Sequence, residues 1–161
     1  MVTSEDLKEI IIMTHLESDM LARVGAVVDV LSFHDQEVIF RQGDVADRFY
    51  MVKRGKVLLE QAMADLVTVS VGSIKPGYSF GWSTMIEEGR YTTDAICTEP
   101  CEIFSIRGSQ LRNLCAQDPH MGFLLSQRLL IILKKRYDHR TEQFLKVIQH
   151  HPDMKGLFEL E

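Results

Sequence analysis

Apolar and polar positions change rhythm twice along this chain. Near the N-terminus, Leu7, Ile10 and Ile11 fall at i, i+3 and i+4, just after Glu5 and Asp6. That spacing predicts a helix over residues 3–13 with its acids in the favoured first turn. Ser18 is a good N-cap and predicts a short second helix to about Arg23. From Val27 to Ile106 the apolar residues come instead in short runs closed by turns. Val28, Val30 and Leu31 precede His34-Asp35-Gln36. Val38, Ile39 and Phe40 end at Gln42-Gly43-Asp44, Phe49 to Val52 end at Arg54-Gly55-Lys56, and Val57 to Leu59 open a further run. Val67, Val69 and Val71 alternate with Thr68 and Ser70, which predicts a half-buried strand. Lys75-Pro76-Gly77 is a strong turn signal, and a loop with Glu87-Glu88-Gly89 separates it from the last strands, Ala95 to Cys97 and Glu102 to Ile106. About eight short strands in one block imply a mainly β fold: an antiparallel β-roll, jelly-roll and cupin-like, with helices on both flanks.

After Ile106 the helical period returns. Ser109 to Ala116 carries Leu111, Leu114 and Cys115 on one side. Asp118-Pro119 then opens a long helix, aspartate as N-cap and proline at the first helical position, running to about His150 before Pro152. It is too long to pack wholly on a small β core. Leu130, Leu133, Tyr137, Arg140, Phe144 and Val147 recur at spacings of three and four, a seam suited to a second helix, with Arg140 as a charged intruder that sets register or pairs with Glu142 or Asp138 of that helix. A second row, Leu125, Leu129 and Ile132, is expected to face the β domain. The domain plan is therefore N-terminal helices over 1–25, a β-roll over 26–107, C-terminal helices over 108–151 that include a dimerisation helix, and a tail over 152–161.

Charge and cysteine content narrow the classes. The net charge is −5, so the overall field does not suit a nucleic-acid backbone. The basic run Lys134-Lys135-Arg136 with His139 and Arg140 reads as the solvated side of the long helix. No apolar run reaches the roughly 18 residues of a membrane span. The N-terminus is acidic and lacks a secretory apolar core. Cys97, Cys101 and Cys115 form no CxxC and are expected to be reduced, buried thiols of a cytoplasmic protein. Leu160-Glu161 has the look of a cloning junction, which would make the chain a piece of a longer protein.

The stretch IFRQGDVADRFYMVKRGKVLLE, residues 39–60, resembles the family of cyclic nucleotide-binding domains, in which a glycine turn precedes a strand of type F-Y-x-V and a second glycine precedes one of type K-V. KPGYSFG, residues 75–81, looks like the family's lead into its ligand cassette, and the resemblance runs from about Leu16 to about Phe144. It implies a domain that does no chemistry but senses a phosphate-bearing ligand, with a following helix whose pose reports occupancy. In the family the cassette begins F-G-E and ends with arginine and small residues. The glycine lets backbone N–H groups approach the cyclic phosphate, the glutamate accepts from the ribose 2′-hydroxyl, and the arginine pairs with the phosphate.

Phe80-Gly81 matches that pattern, but Trp82 stands at the glutamate position and Tyr91 at the arginine position. Arg90 comes one residue early, and Thr92 and Thr93 keep small hydroxyl residues after it. A bulge would let Arg90 serve the phosphate with Ser83, Thr92 and the Gly81 N–H. Without one, strand alternation turns Arg90 outward and the pocket has lost or altered its ligand. Trp82 either stacks on a ligand or fills a pocket, the vacated one included.

The expected function is thus a regulatory or sensor domain with lost or altered cyclic nucleotide binding, dimeric through its long helix and open to a small-molecule effector. The alternatives are a cyclic AMP or cyclic GMP receptor using Arg90, and an interaction module without ligand. A cupin-type metal enzyme would need a His-x-His strand, and the β block holds only His34, so no metal, cofactor or catalytic residue is expected. The transcription factors of the family carry a DNA-binding domain after the long helix. Here only HPDMKGLFELE follows, too short for one.

Overall fold

The computed structural model describes residues 2–64 and 67–151, so the expectations for the tail lie outside the described residues. Two antiparallel four-stranded sheets form the centre. They contain β1 (Asp29–Phe33), β2 (Val38–Phe40), β3 (Arg48–Arg54), β4 (Val57–Ala64), β5 (Val67–Ile74), β6 (Ser79–Phe80), β7 (Asp94–Cys97) and β8 (Cys101–Arg107). The strand orders are β1-β8-β3-β6 and β2-β7-β4-β5. This is the antiparallel β-roll that the short, turn-closed runs predict.

Strand alternation builds the core on both faces of β3. Tyr50 and Val52 point between the sheets, where they join Phe40, Val57, Ile74, Phe80, Tyr91, Ala95 and Ile103. Phe49 and Met51 point the other way, yet both are fully buried, as are Phe104 and Ile106 of β8. Helices cover that outer face: α1 (Ser4–Lys8), α2 (Ser18–Gly25) and α3 (Gly108–Gln117). Their buried residues include Leu7, Leu21, Val24 and Leu111.

The first predicted helix is broken in two. α1 is capped by Thr3 and Asp6, which exchange hydrogen bonds in a capping box. It ends at Lys8, and a 3-10 turn follows over Ile11–Met13. The break has a tertiary cause. The Ile11 N–H donates to the Gly77 carbonyl at 2.9 Å instead of continuing the helix. The Pro76-Gly77 turn that offers this carbonyl has Gly77 at φ 84 and closes with Tyr78 N–H on the Lys75 carbonyl. Ser18 is the first residue of α2 rather than its cap; Glu17 holds that position without a side-chain bond.

The last helix, α4, runs over Pro119–Gln149, 31 residues. Asp118 caps it through a 3.0 Å bond from the Met121 N–H. The chain divides into two compact units within this helix, the second beginning at Ser126. In the first unit Met121 and Leu125 are buried. In the second, Leu130, Leu133, Tyr137, Arg140, Phe144 and Val147 are all exposed. No helix among the described residues is long and apolar enough to cross a membrane.

Candidate ligand pocket

Gly81 ends β6 in a left-handed conformation, φ 78, and a 3-10 turn, Trp82–Met85, follows it. A Cβ at Gly81 would meet the Arg48 carbonyl and the Tyr50 ring, each at 3.0 Å, and the Tyr91 ring at 3.5 Å. Glycine is thus required twice here, by its backbone angle and by close approach. The space it faces is occupied by aromatic rings. Phe40 stacks on Tyr91 with centroids 3.7 Å apart, and Tyr50 stacks on Phe80 at 5.2 Å.

Tyr91 is 4% exposed. Its hydroxyl donates to the Arg48 carbonyl at 2.7 Å and accepts the Arg48 N–H at 3.1 Å. Burial pushes the phenol well above its ordinary range, and burial likewise raises Tyr50. The phenols are therefore neutral and offer no charge to an anion. The nearest guanidinium to this cluster along β3, that of Arg48, holds Asp29 and Ser105, each at 2.9 Å.

Backbone pairing fixes which of Arg90 and Tyr91 points inward. Gly43 N–H donates to the Tyr91 carbonyl, Tyr91 N–H to the Asp44 carbonyl, and Val45 bridges Arg90. The ladder leaves Arg90 on the surface, its Nη1 on the Gly43 carbonyl at 2.8 Å. Asp94 then secures the same loop through Arg41 at 3.0 Å and the Gln42 N–H at 2.6 Å.

The predicted site residues divide between two faces. Phe80, Gly81 and Tyr91 meet in the inner cluster. Trp82 does not join them: it packs against Phe49 at 4.6 Å, on the opposite face of β3 from Tyr50. Its Nε1 is buried without a partner among the described residues. Ser83 and Thr93 are half-buried and Thr92 is exposed. Phe40, Tyr50 and Arg48 complete the cluster and were not singled out from sequence. The alternation of Tyr50 and Val52 was the signal for Tyr50; nothing in the linear order joins Phe40 to Tyr91. The three cysteines are free, and burial, with Cys101 beside it, pushes the Cys97 thiol up to about 12, far from a nucleophile. Among the described residues no three His, Cys, Asp or Glu gather to hold a metal ion.

Comparison with known proteins fits this architecture. The model of the cyclic nucleotide-binding domain matches residues 30–118, and the chain belongs to that family. A cAMP-dependent protein kinase regulatory subunit of Dictyostelium discoideum is 37% identical over 57 residues, 35% of this chain. That match covers only 17% of the relative's length. A cyclic nucleotide-binding domain of Methylobacillus flagellatus has the same fold, with a TM-score of 0.81 at 14% identity over 94% of this chain and 89% of that one. The catabolite activator protein of Thermus thermophilus gives a TM-score of 0.72 at 21% identity, over 86% of this chain and 63% of its own. The fold is that of a regulatory or sensor module.

Proposed function

We propose that this chain is a non-enzymatic regulatory domain whose own Tyr91 occupies the place of a ligand beside Gly81, so that cyclic AMP and cyclic GMP bind weakly or not at all. The observation that carries this reading is the seating of Tyr91, stacked on Phe40 and bonded to both the N–H and the carbonyl of Arg48. A cyclic phosphate entering there would lose its water and find the Arg48 guanidinium already committed to Asp29 and Ser105, a loss on the scale of a broken desolvated charge pair, about 2–5 kcal/mol. The regulatory relative in Dictyostelium supports a signalling role without chemistry. Free, buried Cys97 and Cys101 support a reducing, cytoplasmic setting.

The rival reading, a receptor using Arg90, requires the strand to slip by one residue against its ladder to Gly43–Val45. Calorimetric titration with cyclic AMP and cyclic GMP separates the two. We expect no measurable heat of binding, and no change on Arg90→Ala. Tight binding that Arg90→Ala abolishes would establish the slipped cassette and end our reading. In the same proposal α4 joins two copies through the exposed seam at Leu130, Leu133, Tyr137, Arg140, Phe144 and Val147, since monomers rarely leave in water an apolar row of this length, interrupted here only by Arg140.

A further inference from the structure

β5 lies at the edge of its sheet, after β4, so its outer row of backbone N–H and C=O groups faces no strand among the described residues. Such an edge is a template for another strand, and proteins commonly guard it with charge, proline or short length. None of these guards Val67–Ile74, VTVSVGSI, eight residues long. Its first half is exposed, Val67 to 51% and Val69 to 39%, and Met63 on the neighbouring β4 to 73%.

The residue order is itself two-fold. Val67-Thr68-Val69-Ser70-Val71 reads valine, hydroxyl, valine, hydroxyl, valine from either end. Antiparallel pairing of two copies about Val69 sets Val67 against Val71, Thr68 against Ser70, and Val69 against its own counterpart. Cross-strand pairs of β-branched residues and of Ser/Thr hydroxyls are favourable, and no like charges are opposed. A two-fold contact requires this kind of self-complementarity, whereas a foreign strand gains nothing from it. We propose that β5 is a self-association surface, by which two copies of the chain join their sheets edge to edge in the register centred on Val69. Two irregularities border the contact. The pairing with β4 slips between Ser70 and Gly72, leaving Val71 as a bulge, and again between Thr68 and Val67, where Met63 of β4 is the extra residue, so the regular run is Thr68–Ser70. The contact is short, and the association it gives is weak and concentration-dependent.

This surface is separate from the α4 seam, and its test removes that seam first. In the Leu133→Glu/Phe144→Glu variant, sedimentation should still show dimers as concentration rises, with slowed amide exchange within Thr68–Ser70. Adding Val69→Lys should raise the dissociation constant about tenfold or more. Val69→Cys should cross-link to itself under mild oxidation, and Val67→Cys should not. If the seam variant does not fold, the wild type carries the test: Val69→Lys should reduce species larger than a dimer to the dimer. A chain that never associates beyond the seam, association indifferent to Val69→Lys, or cross-linking at Val67→Cys instead would each overturn the proposal.

Discussion

Tyr91 is held by ring stacking on one side and by the Arg48 backbone at its tip, so its hydroxyl is a structural group. Tyr91→Phe leaves the Arg48 N–H and carbonyl without that partner and should cost about 1–3 kcal/mol. The pH dependence has a definite sign. Burial raises the folded pKa above the ordinary tyrosine value of about 10, so the neutral phenol is the stable form. Its contribution is complete below about pH 10 and is lost as pH rises towards the folded value. Urea unfolding between neutral and strongly alkaline pH should show a falling limb that Tyr91→Phe flattens. Tyr91→Arg is the change that reaches the inner cluster, because Trp82 lies across β3. That variant should unfold at lower temperature, and cyclic AMP should raise its midpoint while leaving the wild type unmoved; an unmoved variant would show that the pocket walls no longer fit a nucleotide. Strand alternation in the sequence offers an inward Tyr91 and an outward Arg90 only if no bulge intervenes, and it is the backbone pairing of Tyr91 with Gly43 and Asp44 that orients the two here. Sequence order could not place Trp82, because the left-handed Gly81 turns the chain before that residue and alternation no longer applies.

Elements were legible where their signals are local. Asp118-Pro119 predicted the start of α4, and the Asp118 carboxylate does accept the Met121 N–H. Arg23 reaches the same carboxylate at 2.6 Å, so the helix cap also ties α2 to the start of α4. These bonds, the Met121 N–H foremost and then Arg23, hold the Asp118 pKa below its ordinary value. The stability it lends is present above an aspartate's unfolded pKa of about 4 and disappears as pH falls through the folded value. Asp118→Asn keeps an oxygen for the cap but loses the ion pair. It should melt lower at neutral pH and lose less on acidification than the wild type, as thermal scans at neutral and acidic pH would record. Long-range partners hid the rest. Residues 3–13 have one helical pattern, but a carbonyl some 66 residues later, at Gly77, takes the Ile11 N–H and breaks it. β5 alternates as a half-buried strand should, but its first half is exposed, because a period of two says nothing about whether a second sheet lies opposite.

At the scale of the whole molecule the three rhythms along the chain announce the order of helical and β elements, since each period is a local property repeated over many residues. Association depends instead on surfaces, and here charge separates two candidates. The described part of α4 beyond Leu125 carries Arg128, Lys134, Lys135, Arg136, Arg140 and Lys146 against only Asp138 and Glu142. Two copies joined through this segment bring like charges together, and added salt screens that repulsion over about 10 Å at 0.1 M. The apolar seam is unaffected by screening. The α4 dimer should therefore tighten as salt rises, while pairing through the uncharged Val67–Ile74 strand should change little. Leu133→Glu/Phe144→Glu should remove the salt-sensitive step, because carboxylates in the seam lose their water without a fixed partner. Sedimentation across a salt series checks both statements together. A wild-type chain that is monomeric at tens of micromolar protein in any salt would remove α4 as a dimer helix. Association that weakens with salt would instead point to an acidic surface as the partner of the basic helix, and the seam would then not be the contact.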